Sequence, residues 1–238
     1  MPNINEQRRY YTDRWGAFEY ANHLELRRLA QVLTYMSDIE MPAIPRICDL
    51  GCGAGWSTNV LSMFGQVIGV DLSDTTIAQT RYPLCRFISA DVIEWDAPKA
   101  EFDVVVSLEV LEHIEESAQG RYLGVAHRLL KPGGYLILTT PNKQTMNAIR
   151  GGGRTWSDQP IENWLGPDQL KSLLKQSGFI IESWTSLILG VASLKSHRLI
   201  VSHRINRLMR ALGLYRIWQG AACRMNYGLH LAVLAKKY

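Results

Sequence analysis

Between Arg46 and Ser73 the chain reads RICDLGCGAGWSTNVLSMFGQVIGVDLS, with Gly51, Gly53 and Gly55 at alternate positions and acids at Asp49 and Asp71. No other stretch restricts the fold as much. A short apolar run, Arg46–Leu50, enters the glycines, and a helix-length segment leads to a second apolar run, Val67–Val70, that ends in Asp71. Glycine tolerates positive φ and lets a ligand approach the backbone. Strand, glycine turn and helix start therefore read as the first unit of a nucleoside-binding site. The acid ending the second strand is suited to accept hydrogen bonds from both ribose hydroxyls. Two features speak against a dinucleotide: the spacing is GxGxG, and Asp49 stands two residues before the first glycine. A carboxylate there is repelled by a pyrophosphate and attracted by a ligand bearing ammonium and sulfonium charges.

The rest of the chain continues the alternation. Further strands are expected at Cys85–Ser89, Val104–Leu108, Tyr135–Thr140, Phe179–Leu187 and Leu229–Leu234. Helices fit at Ser57–Phe64, Thr75–Arg81, Glu116–Leu130 and Pro167–Ser177, and one helical stretch at Glu6–Met36 precedes the punctuation of Pro42 and Pro45. KPGG at 131–134 reads as a helix stop and turn. Strands alternating with helices predict an α/β fold, a largely parallel sheet covered on both faces. Two stretches break the pattern: Lys143–Gly166, glycine-rich and bearing tryptophan, and Gly190–Tyr227, long and basic.

Five motifs, in order, resemble those of the class I S-adenosylmethionine-dependent methyltransferases. They are RICDLGCGAG at 46–55, VIGVDLS at 67–73, SADVIEW at 89–95, FDVVVSLEVLEHI at 102–114 and LLKPGGYLILTTPN at 129–142. Within that family the chain is most similar to quinone-biosynthesis and small-molecule methyltransferases. The resemblance covers roughly 46–142 and implies a Rossmann-like, mostly parallel seven-stranded sheet with the last strand antiparallel. It implies S-adenosyl-L-methionine as methyl donor, S-adenosyl-L-homocysteine as product, and no metal. Donor contacts are expected from Asp49, Gly51, Cys52, Gly53, Gly55, Trp56, Asp71, Leu72, Leu108 and Glu109. Asp91 is expected to meet the adenine amino group, and Val92 to pack on the ring. On this organisation, 1–40 is a helical lid segment and 41–238 one domain, with 143–166 and 190–227 as a substrate cap.

Methyl transfer to oxygen, or to a protonated amine, needs a base. His113, in the LEHI segment after the fourth motif's strand, is the candidate, since histidine titrates in the useful range; the alternative is a structural histidine that orients its loop. Tyr11, Trp15 and Phe18 fall at helical spacing and are expected to fold over the donor. Tyr20, Trp156, Asn163 and Trp164 are candidate acceptor contacts, and His23 reads as packing.

Composition narrows the partners. The first residues, MPNINEQRRYYTDRW, lack the apolar core of a signal peptide, and no apolar run approaches the ~18–20 residues of a membrane span. Four cysteines without a CxxC pair suggest reduced thiols in the cytoplasm rather than disulfides or zinc ligands. The net charge of +4 conceals a split: after Glu182 come nine Lys and Arg and no acid. In 191–214 an apolar stripe of Leu194, Val201, Ile205, Leu208 and Leu212 runs beside Lys195, Arg198, Arg204, Arg207 and Arg210. Such a helix suits an anionic membrane surface, a phosphate-bearing substrate or a sheet edge. A small-molecule acceptor is the expected partner. No RNA-binding module is recognisable, and TTPNKQT differs from the NPPY-type motif of base methylation, which argues against nucleic acid.

Overall fold

The computed structural model describes residues 3–150, 159–189 and 202–238. The apolar runs form β1 (Arg46–Leu50), β2 (Gln66–Asp71), β3 (Arg86–Ser89), β4 (Phe102–Leu108), β5 (Leu130–Pro141), β6 (Phe179–Leu187) and β7 (His230–Lys237). They make one sheet in the order β3-β2-β1-β4-β5-β7-β6. The first five strands pair in parallel, and β7 runs antiparallel between β5 and β6. Central strands covered on both faces are apolar at consecutive positions rather than alternate ones. Val104, Val105 and Val106 are accordingly all fully buried.

Two clusters fill the two faces. One joins Leu50, Val105 and Leu138 to Tyr122, Leu123 and Leu129 of α5 (Gln119–Leu129) and to Leu170 and Leu174 of α7 (Pro167–Gln176). The other joins Ile47, Val104 and Ile137 to Leu61 of α3 (Trp56–Leu61) and to Leu29, Val32 and Met36 of α2 (His23–Ser37). Each such side chain contributes about 1.5–3 kcal/mol on full burial. Tyr35 adds a buried hydrogen bond to the Ala232 carbonyl. Of the N-terminal segment, then, α2 is a layer of the core.

The single helix expected over Glu6–Met36 is two. α1 (Ile4–Gly16) ends at a glycine, and α2 starts afresh at Asn22. The Asn22 side chain accepts from the amides of Leu24 and Glu25, while Glu25 accepts from the Asn22 amide at 2.6 Å. This reciprocal cap satisfies amides that a continuous helix would have paired. KPGG also differs from expectation: β5 already begins at Leu130, and the segment takes a register shift opposite Phe102–Val104 with Gly133 at φ +75°. The expected helices otherwise appear, including α4 (Thr76–Arg81). The stretch after β5 opens with α6 (Lys143–Arg150); beyond β6, α8 (His203–Ala211) and α9 (Tyr215–Arg224) lead back to β7. All four cysteines are free.

Candidate active site

Strand order reverses between β1 and β4, and ligands of open α/β sheets sit beyond the carboxyl edge at such a point. A cavity of about 620 Å³ lies there, bounded by the loops after β1, β2, β4 and β5, by the start of β7 and by α1. That volume suits a nucleoside-sized ligand together with a small second molecule.

The half beyond β1 and β2 is built by the glycine loop. Gly51 and Cys52 donate to the Val70 carbonyl, and Gly53 donates to Asp71 Oδ2 at 2.8 Å. Asp71 Oδ1 accepts from the amide and hydroxyl of Ser73 at 2.8 and 2.5 Å. A carboxylate offers about four acceptor directions, so one is left for a ligand. At Gly53, with φ +52°, an added Cβ would stand 2.8 Å from the Trp15 ring. Trp15 of α1 thus lies directly on the loop, and Arg14 stacks on its indole. Cys52, Trp56, Leu72, Asp91, Val92 and Leu108 line the same cavity, with Asp91 Oδ1 accepting from the Ile93 amide.

Two expected donor contacts lie elsewhere. Asp49 and Gly55 are not among the lining residues. Asp49 is buried one layer beneath the loop, where Oδ2 accepts from Ser57 Oγ and Thr58 Oγ1 at 2.9 and 2.7 Å. Burial pushes its carboxyl up to about 6 against the pull of those two hydroxyls.

The other half is lined by the ends of β4 and β5, the start of β7 and α2. Glu109, expected among the donor contacts, lines this half of the cavity instead of the glycine-loop half; it directly follows β4 and adopts φ +56°, a left-handed conformation uncommon outside glycine. Its amide donates to the Thr139 carbonyl, and its carboxylate accepts from Thr139 Oγ1 at 2.8 Å. His230 Nδ1 lies 2.6 Å from Glu109 Oε2, and Arg28 Nε 3.9 Å from Oε1. Burial raises the Glu109 carboxyl, but His230, Arg28 and Thr139 outweigh it and hold the group at about 2. Glu112 is the opposite case. Desolvation and the neighbouring Glu109 charge keep its carboxyl well above the ordinary range, where Thr140 Oγ1 donates to it at 3.0 Å.

His113 lines the cavity too. Its Nδ1 is 2.8 Å from the Ile161 carbonyl, its Nε2 is 3.8 Å from Glu112, and its ring lies 5.7 Å from that of Tyr11. Burial lowers its affinity for a proton. The Tyr11 hydroxyl is buried and has no hydrogen-bond partner among the described residues. An unpaired buried hydroxyl costs about 1–3 kcal/mol; Tyr11 itself lines the cavity. Trp164 lines the cavity as expected.

Tyr20 and Asn163 do not reach the cavity. Tyr20 falls in the break between α1 and α2 and is 85% exposed. Asn163 braces backbone instead, donating from Nδ2 to the Ile114 carbonyl and from its amide to that of Glu112. Trp156 lies outside the described residues, as does 191–201 of the basic stripe. Sequence reasoning overlooked Arg28, Thr139 and His230. The first looked like the polar side of an amphipathic helix, and the others like residues of ordinary strands. Among the described residues no cluster of side chains suits a metal, and no helix is long and apolar enough to cross a membrane.

A Rossmann-like, mostly parallel sheet with a glycine loop and a buried acid at its switch point defines an α/β domain with a ligand-sized cavity beyond its carboxyl edge. The chain belongs to the methyltransferase-domain family, whose profile matches residues 20–183. It is 32% identical over 151 residues to a Mycobacterium tuberculosis (strain CDC 1551 / Oshkosh) protein named "Probable S-adenosylmethionine-dependent methyltransferase", covering 60% of this chain and 52% of that one. It is 31% identical over 157 residues to the ubiquinone biosynthesis O-methyltransferase of Bradyrhizobium sp. (strain ORS 278), covering 60% and 61%. The chain thus spans about half to three-fifths of the length of these curated relatives. Among solved structures, an S-adenosylmethionine-dependent methyltransferase from Archaeoglobus fulgidus superposes with a TM-score of 0.64 at 20% identity, over 96% of this chain and all of that one.

Proposed function

We propose that the protein is an S-adenosylmethionine-dependent methyltransferase acting on an oxygen or nitrogen of a small-molecule acceptor. The observation that carries this reading is the pairing of Gly53 with Asp71 under Trp15, opening into a cavity with a second, polar half. Gly51, Cys52, Gly53, Asp71, Leu72, Asp91, Val92 and Leu108 would hold the donor, with Tyr11 and Trp15 of α1 closing over it. The bare glycine backbone of the loop fits a closely held ligand. The donor supplies an already activated methyl group on a sulfonium.

The chain's own tasks are then to position the acceptor and exclude water, which together contribute up to about 7–11 kcal/mol in ideal systems. α1 excludes solvent over the loop. His113 acts as an orienting residue, its Nδ1 holding the segment that carries Trp164 and its ring packed beside Tyr11. The match to an O-methyltransferase of ubiquinone biosynthesis supports an oxygen acceptor. Calorimetry with S-adenosylmethionine tests the reading: micromolar binding is expected, weakened by about 1.5–3 kcal/mol in Asp71→Ala. A folded chain that binds no donor would refute it.

A second observation favours peripheral contact with an anionic membrane. Leu208, Leu212, Leu214 and Ile217 of the α8–α9 region are exposed beside Arg204, Arg207 and Arg210, an arrangement suited to an interface.

A further inference from the structure

We propose that His230, braced by Glu109, is the group that takes the proton of the acceptor. This rests on the methyl-transfer reading above and names a base within it.

The two side chains are 121 residues apart in sequence and meet only because β4, β5 and β7 are neighbours in the sheet. Pro141 pairs with His230 and Thr139 with Leu108 across β5, so the end of β4 and the start of β7 flank the same strand end. The 2.6 Å contact occupies His230 Nδ1, which must carry hydrogen to donate to a carboxylate. In the neutral ring the lone pair is then on Nε2, and that nitrogen has no hydrogen-bond partner among the described residues. His230 lines the cavity, as do Pro141, Met146 and Arg28. Glu109 cannot swing away from the ring, because Thr139 Oγ1 and Arg28 hold its other oxygen.

His113 provides the contrast. A base that accepts a proton becomes a cation, and burying that cation without a counter-charge is unfavourable. His113 Nδ1 faces the Ile161 carbonyl, and its nearest acid, Glu112 at 3.8 Å, has its carboxyl pushed well above the ordinary range by burial and by the Glu109 charge; Glu109 and Glu162 also act on this ring, without the 2.6 Å contact that His230 makes. His230 has an ionised carboxylate against its ring. The positioning role of Glu109 thus has two parts: it fixes the tautomer and compensates the imidazolium. In the step itself the acceptor's O–H or N–H bond breaks and its proton goes to Nε2. The freed electron pair bonds the methyl carbon, while the pair of the broken C–S bond stays on sulfur. The imidazolium then returns its proton to water.

The test uses the full chain saturated with S-adenosylhomocysteine, with imidazole ¹⁵N–¹H correlation spectra assigned by loss of a signal in His230→Gln. At mildly alkaline pH the His230 ring should be the Nδ1–H tautomer, becoming mixed in Glu109→Gln. An Nε2–H tautomer, or a ring still doubly protonated, overturns the proposal. With catechol and a panel of phenols and amines as acceptor probes, His230→Gln should lower turnover about 10²- to 10⁴-fold while donor affinity stays within twofold. Turnover near that of wild type also overturns it. The tautomer decides even if no probe is methylated, and loss of donor binding in wild type instead sinks the methyl-transfer reading.

Discussion

The indole of Trp15 rests against the bare backbone of Gly53, closer than any side chain at that position would allow. The contact joins α1 to the loop that Asp71 holds by the Gly53 amide. Gly53→Ala adds a methyl both to this contact and to a backbone at φ +52°, a conformation costing an L-residue about 1–2 kcal/mol. The variant should fold with a lower melting temperature and bind S-adenosylhomocysteine at least tenfold more weakly in calorimetry. Unchanged affinity would mean that the loop under Trp15 does not carry the donor.

Asp49 should leave a mark on the pH dependence of stability. Its carboxyl sits at about 6 in the folded chain, above an ordinary value near ~3.9. The native state therefore binds this proton more tightly than the unfolded one. The resulting stability is complete below the ordinary value and lost as pH rises through about 6. At about 1.36 kcal/mol per unit the loss is at most about 3 kcal/mol. Asp49→Asn, which keeps an acceptor for Ser57 and Thr58, should flatten the melting profile across that window. A variant that retains the full slope would assign it to other groups.

For His113 the expected signature is an orienting one. His113→Ala removes the bond to the Ile161 carbonyl and the packing beside Tyr11, a hydrogen bond contributing about 0.5–1.5 kcal/mol. The acceptor KM should rise by up to about tenfold, with a smaller change in kcat and in donor affinity. A kcat loss of about 10²-fold or more, as for lost general-base catalysis, would return the proton-accepting role to this residue.

The basic end of the chain is tested with vesicles. Exposed Leu208 and Leu212 give α8 an apolar face, and each cation near an anionic bilayer adds about 1 kcal/mol, screened within a Debye length. Cosedimentation with anionic vesicles is expected at low salt and should fall when Arg204, Arg207 and Arg210 are changed to Gln. If binding is absent and the triple variant loses acceptor affinity instead, the helix serves the cavity.

The half of the cavity beyond β1 and β2 was legible because its lining is written almost continuously. Gly51, Asp71 and Asp91 lie within one run of strands and turns, where local chemistry dictates local geometry. The half beyond β4, β5 and β7 was not. Arg28, Glu109, Thr139 and His230 come from α2 and from three different strands, and only the sheet order unites them. Periodicity predicted β7 nearly to its first residue, yet nothing local distinguishes a histidine at a cavity edge from one merely starting a strand. Tyr20 was misjudged for a readable reason: Asn22 and Glu25 form a capping box, which ends the helical spacing on which its neighbours were aligned. The spacing of Asp49 to the glycines suggests a ligand contact, but two hydroxyls eight and nine residues on, in the first turn of α3, claim the carboxylate.

The reversed direction of β7 has a consequence for what the last connection of the chain can reach. A strand parallel to β5 would leave the sheet at the cavity; β7 enters it there, so the α8–α9 stretch delivers its chain straight to His230. Asn142 and Thr145 clamp that entry by bonding the Gly228 carbonyl. Among the described residues none of α8 or α9 lines the cavity, so a change in those helices reaches it only through His230 and the clamped Gly228, while β1, β2 and the glycine loop stay untouched. Two separate lengths of chain thus meet at one cavity, and an edit confined to the later one leaves the hydrogen bonds of the glycine loop intact.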